Sequence, residues 1–117
     1  VIDILPEQKK INKKGATMRL GAYPAILKEG SLVRKLYGKK DVSERHRHRY
    51  EVNPEYTEKL EEKGLLFSGV SPDRKLMEFL ELPGHKFFVA TQAHPEFTSS
   101  LLKPNPMFLG FVKACVK

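Results

Sequence analysis

Phe87-Phe88-Val89-Ala90-Thr91-Gln92-Ala93-His94-Pro95-Glu96 is the stretch whose reading decides the fold. Its first five residues are apolar or β-branched without alternation, the composition of a strand covered on both sides. The run then passes straight into a histidine, a proline and a glutamate, so a buried strand would deliver ionisable groups to its own end. Upstream, Leu65-Leu66-Phe67-Ser68-Gly69-Val70 reads as a second strand, Ser71-Pro72-Asp73-Arg74 as a turn and residues 75–82 as a third strand.

Helix signals lie between these strands. Asn53-Pro54-Glu55 combines a cap, a proline at the first helical position and an acid in the first turn, with Gly64 closing the segment. Tyr56 and Leu60 form its single packing face. Ser31 caps a shorter helix carrying Leu32, Val33 and Leu36, and Gly38 stops it. Residues 18–23 alternate as a strand that should end at Pro24, which cannot donate to a ladder. Residues 1–5 are β-like, and the lysine-rich stretch with Lys9, Lys10, Lys13 and Lys14 reads as a loop. Beyond a proline-containing loop over residues 101–106, residues 107–116 are apolar nearly all round and predict a buried closing helix, with Cys115 as inert core. Strands and helices intermix, which predicts an α/β or α+β layer.

The chain has 117 residues, 21 Lys+Arg against 14 Asp+Glu, and a net charge of +7. That length supports one domain with one core. The single cysteine rules out an internal disulfide framework and thiolate zinc motifs, and it suits a reducing compartment. No apolar run approaches the roughly 20 residues of a spanning helix. The opening Val1-Ile2-Asp3-Ile4-Leu5-Pro6 has none of the parts of a secretory signal and reads as a chain already in progress.

Two strings carry chemistry. In extended chain His94 and Glu96 project from one face, so the carboxylate can hold one ring nitrogen and leave the other as a general base. A surface or structural pair is the competing reading. In Glu44-Arg45-His46-Arg47-His48-Arg49-Tyr50-Glu51, alternate arginines would line one strand face and the histidines the other. Arg45, Arg47 and Arg49 would then form a carboxylate or phosphate clamp, a solvated charge run or a nucleic-acid patch. A metal centre at His46, His48, His85 and His94 is disfavoured, because arginines flank the first two and no second His/Cys pair stands at ligand spacing.

Taken in order, Gly15-Ala16-Thr17-Met18-Arg19-Leu20-Gly21, Ser31-Leu32-Val33-Arg34-Lys35-Leu36-Tyr37-Gly38, the arginine–histidine string through Asn53-Pro54, and Gln92-Ala93-His94-Pro95-Glu96-Phe97 resemble the C-terminal half of the class I glutamine amidotransferase domain of the CTP synthase family. The resemblance covers nearly all of residues 1–117. It implies a partial flavodoxin-like α/β domain with a mixed sheet, lacking the upstream half that holds the nucleophile elbow and oxyanion hole. It also implies glutamine hydrolysis, with His94 as base, Glu96 as its orienting acid and Arg49 binding glutamine, and a cysteine nucleophile outside this chain. For the parent enzyme it implies ammonia transfer to a synthetase domain that aminates UTP with ATP and Mg2+, GTP as effector, a tetramer and a cytoplasmic location. Gly15-Ala16 departs from the two glycines usual there. The competing readings are a small basic nucleic-acid-binding module and a non-catalytic docking subunit.

Overall fold

A computed structural model describes residues 1–4 and 18–116. The lysine-rich loop and the Gly15-Ala16-Thr17 string lie outside the described residues. Strand β1 (Ile2–Ile4) pairs antiparallel with β4 (Tyr50–Val52). A five-stranded sheet runs β3 (Asp41–His48), β2 (Arg19–Leu27), β5 (Leu66–Val70), β6 (Met77–Glu81) and β7 (Val89–Thr91). Helices α1 (Leu32–Tyr37), α2 (Thr57–Glu62) and α3 (Pro106–Cys115) follow β2, β4 and β7 along the chain, giving the intermixed α/β layer that the sequence predicts. Every ladder among the described residues is antiparallel, so within them the sheet is not mixed in strand direction.

Local chemistry explains most boundaries. Ser31 accepts from Arg34 N–H and starts α1, while Gly38 ends it in the left-handed region at φ 65°. The buried Glu81 carboxylate adds to that cap, accepting from the Leu32 and Val33 N–H groups at 2.9 and 3.1 Å and joining α1 to β6. Asn53 accepts from Glu55 N–H and opens a 3-10 turn, Pro54–Tyr56, that runs into α2.

Strand β2 does not end at Pro24 but continues to Leu27. Leu27 N–H points to Lys40 O on the β3 side and Lys28 N–H to Ser68 O on the β5 side. Alternation therefore turns the Pro24 nitrogen toward β5, with which β2 pairs only at Ile26 and Leu27. The missing donor costs no ladder bond.

Two burial expectations are corrected. Strand β7 is three residues long at a sheet edge, with Ala90 exposed, rather than a strand covered on both sides. The aromatic residues before it pack elsewhere: Phe87 lies 5.7 Å from the Phe111 ring on α3, and Phe88 the same distance from His85. Helix α3 begins one residue early, because Asn105 caps it through Met107 N–H and Pro106 is its first residue. It is not a buried closing helix, since only Met107 is buried and Phe108, Leu109, Phe111, Val112 and Cys115 are exposed. A sequence apolar all round specifies that a helix has apolar faces; which face finds a partner is decided by the layer it meets.

The core is Ala25, Leu27, Val33, Phe79 and Met107, with Tyr37, Val42 and Val89 packed against it. Gly69 on β5 is part of its geometry. A Cβ there would come within 2.5 Å of Phe79 Cδ2 and 3.1 Å of Leu27 Cδ2. Gly69→Ala is expected to destabilise the chain by about 2 kcal/mol through overpacking, read as a lower urea midpoint at unchanged slope.

Candidate functional site

His94 and Glu96 meet. The ring Nδ1 lies 2.7 Å from Glu96 Oε1, with the imidazole and carboxylate side chains 38% and 53% exposed. The contact is made by a turn rather than by the extended chain the sequence suggests. Pro95 opens a 3-10 helix, Pro95–Thr98, with His94 at its cap position, because a proline ring is preorganised for a first helical residue. Phe97 N–H closes the turn on His94 O, and the Phe97 ring stacks on the imidazole at 5.5 Å.

Hydrogen bonding from His94 is the first cause that holds the Glu96 carboxyl below its ordinary range. The acid therefore stays ionised at neutral pH. With the Nδ1 proton directed at it, Nε2 is the nitrogen left to take a proton.

Strand β3 supports this turn. His94 N–H donates to Arg45 O at 2.8 Å, and Ala93 forms a bridge with His46. Thr91 Oγ1 adds a tie, donating to Glu78 O and accepting from Ala93 N–H.

The basic string divides differently from a clamp of three aligned guanidiniums. Arg45 and Arg47 lie on the exposed face of β3, while Arg49 stands past its end, half-buried in the bend before β4. That bend breaks the two-residue alternation. The corner is held from both sides: His48 Nε2 reaches over Arg49 to Glu51 Oε1 at 2.7 Å, and Gln92 Nε2 donates to Tyr50 O. Through Gln92 the Arg49 corner and the His94 turn belong to one local unit.

Sequence reasoning missed the buried ionic cluster behind that unit. Arg19 Nη1 donates to Glu78 at 2.7 Å and to Glu51 at 3.1 Å, and His46 Nε2 lies 2.9 Å from Glu78 Oε2. The Arg19 guanidinium also sits 4.4 Å from the Tyr23 ring centre. Burial alone would push the Glu78 carboxyl up, but hydrogen bonds from His46 and Arg19 outweigh it and hold the group below its usual range. The only signal in the sequence was acids placed on strands, at Glu51 and Glu78, where a charge must find a partner.

A groove of about 700 Å³ lined by residues including Arg34, Lys35, Lys40 and Lys86 does not include His94, Glu96 or Arg49. The His94 turn lies on open surface instead. Among the described residues no group of three or more His, Cys, Asp or Glu side chains is placed to hold a metal ion. No described helix is long and apolar enough to cross a membrane.

The chain is 62% identical over 117 residues to a CTP synthase of Methanococcus maripaludis, covering 100% of this chain and 22% of that protein. It is 65% identical over 114 residues to a CTP synthase of Methanocaldococcus jannaschii, covering 97% and 21%. The chain thus spans about a fifth of the length of these relatives. A solved structure of the Trypanosoma brucei CTPS glutaminase domain with bound acivicin superposes with a TM-score of 0.88 at 40% identity, over 97% of this chain and 45% of that one. Residues 2–114 match the family described as glutamine amidotransferase class-I. With that match covering nearly all of its length, the chain belongs to the class I glutamine amidotransferase family.

Proposed function

We propose that this chain is the C-terminal portion of the glutamine amidotransferase domain of a CTP synthase, and that it supplies the base, the orienting acid and a substrate-binding arginine to a cysteine lying outside it. The observation that carries the reading is the 2.7 Å contact between His94 Nδ1 and Glu96 Oε1 on a solvent-facing turn.

In this reading His94 Nε2 takes the proton of the external thiol, and Glu96 stabilises the resulting imidazolium. The thiolate attacks the carboxamide carbon of glutamine, and His94 returns the proton to the leaving nitrogen as ammonia departs. Water then hydrolyses the glutamyl thioester, releasing glutamate and the thiol. Arg49 binds the α-carboxylate of glutamine through its planar guanidinium.

The destination of the ammonia follows from the same resemblance: a synthetase domain that aminates UTP with ATP and Mg2+, with GTP as effector, in a cytoplasmic tetramer. None of the described residues is assigned to those ligands. Ammonia release tests the proposal. The isolated chain should release none above background, since the resemblance places the nucleophilic cysteine outside it and its one thiol, Cys115, stands at the exposed end of α3, and the enzyme assembled with the rest of the domain should release it steadily. Activity in the isolated chain that disappears with His94→Ala overturns the reading.

A further inference from the structure

The turn bearing His94 and Glu96 is short and largely exposed, and the bonds it makes to itself are long: Phe97 N–H to His94 O at 3.1 Å, Ser99 N–H to Glu96 O at 3.4 Å and the Thr98 hydroxyl to Pro95 O at 3.1 Å. What fixes it comes from β3. The main chain of Arg45 receives His94 N–H at the start of the turn, and the side chain of Glu44 receives the Thr98 hydroxyl at its end, at 2.6 Å. Adjacent residues of one strand thus hold both ends of the segment between which the pair sits.

Glu44 is 4% exposed, on the inward face of β3 together with His46. Its carboxylate takes two further hydrogen bonds on Oε1, from Asn105 Nδ2 at 2.7 Å and from the Tyr37 hydroxyl at 2.9 Å. Burial, and then the Glu44 charge, push the Tyr37 hydroxyl well above its ordinary range, so it remains a donor. Asn105 in turn caps α3 and donates its N–H to Ser99 Oγ. One buried carboxylate therefore joins α1, the His94 turn and the start of α3.

We propose that Glu44 is the positioning residue for the His94–Glu96 pair: its hydrogen bond to Thr98 anchors the 3-10 turn so that the imidazole and its carboxylate stay in register. A buried carboxylate satisfied by three donors is geometrically demanding, because losing any one leaves charge unsolvated. That makes it suited to fixing a turn whose own hydrogen bonds are weak. The inference rests on the reading of His94 as the general base.

The test compares Glu44→Ala, Glu44→Gln and Thr98→Val, with two readouts that loss of stability alone would not move. The first is the titration of the Glu96 side-chain carboxyl by 13C NMR in the full 117-residue chain. The second is the split between kcat and KM for glutamine in the assembled enzyme.

Glu44→Ala and Thr98→Val should raise the Glu96 midpoint toward the value it takes in His94→Ala. They should lower kcat by about 10- to 100-fold with KM changed less than about twofold. Glu44→Gln keeps one acceptor oxygen in place and should retain kcat within about threefold. A lower melting temperature with an unmoved Glu96 titration and unchanged kcat overturns the proposal. If Glu44→Ala fails to fold, Thr98→Val decides by the same criteria: it leaves Glu44 with its Asn105 and Tyr37 donors and removes the 2.6 Å contact, together with the hydroxyl's longer contacts to Pro95 O at 3.1 Å and Asn105 Nδ2 at 3.3 Å. An assembled wild-type enzyme without glutaminase activity sinks the functional reading alone, while the Glu96 titration still decides whether Glu44 holds the pair.

Discussion

His94→Ala is expected to slow glutamine hydrolysis by the assembled enzyme about 10³- to 10⁴-fold, almost all of it in kcat. A general base positioned on a nucleophile contributes about 10²- to 10⁴-fold, and here the same ring must also return the proton to ammonia. Glu96→Gln should cost less, because it weakens the hold on the tautomer and the imidazolium without removing the base. The carboxyl of Glu96 is held below its ordinary range by the His94 hydrogen bond, so it is ionised across the neutral region and the assistance it gives is present there. Steady-state ammonia release over a range of glutamine concentrations checks this. A His94→Ala enzyme within tenfold of wild type would remove His94 from the reaction.

The second large effect is on stability. Arg19→Met should destabilise the chain by about 3 kcal/mol, since two buried carboxylates, Glu51 and Glu78, lose their shared guanidinium and keep only the imidazoles of His48 and His46 as charge partners. The expected melting temperature falls by about 15 °C. The cluster also sets an acid limit. Glu78 is depressed in the folded chain relative to the unfolded one, so its contribution is complete above the ordinary carboxylate range. It is lost as pH falls through the lower folded value. Urea midpoints measured from neutral pH downward should therefore drop for wild type and be flatter for Arg19→Met. Equal midpoints for the two proteins at neutral pH would show that the cluster contributes nothing.

Much of the local structure was legible in the order of residues. Ser31 with Gly38 bounds α1, and Asn53-Pro54 opens the segment leading to α2, because caps and turns are short-range: a side chain satisfies a backbone group two or three residues away. The same is true of His94 and Glu96, whose contact spans two residues. Where burial had to be inferred, short-range signals failed. The composition of residues 87–91 and of α3 states how apolar each segment is, but the edge position of β7 and the exposed faces of α3 depend on which strand or helix lies opposite.

What the sequence determined by itself was therefore a set of contacts within a few residues: the caps, the turns, the imidazole with its carboxylate and the family pattern that links them. Only the tertiary structure decided which strand faces are buried. With that came the pairing of Arg19 with Glu51 and Glu78 across 32 and 59 residues of chain, the separation of Arg49 from Arg45 and Arg47, and the anchoring of Thr98 by Glu44 from 54 residues away. The reason is that a charge can find its partner anywhere the fold brings one near. Period and spacing constrain a side chain's direction, whereas the element it meets is set by the register of the whole sheet.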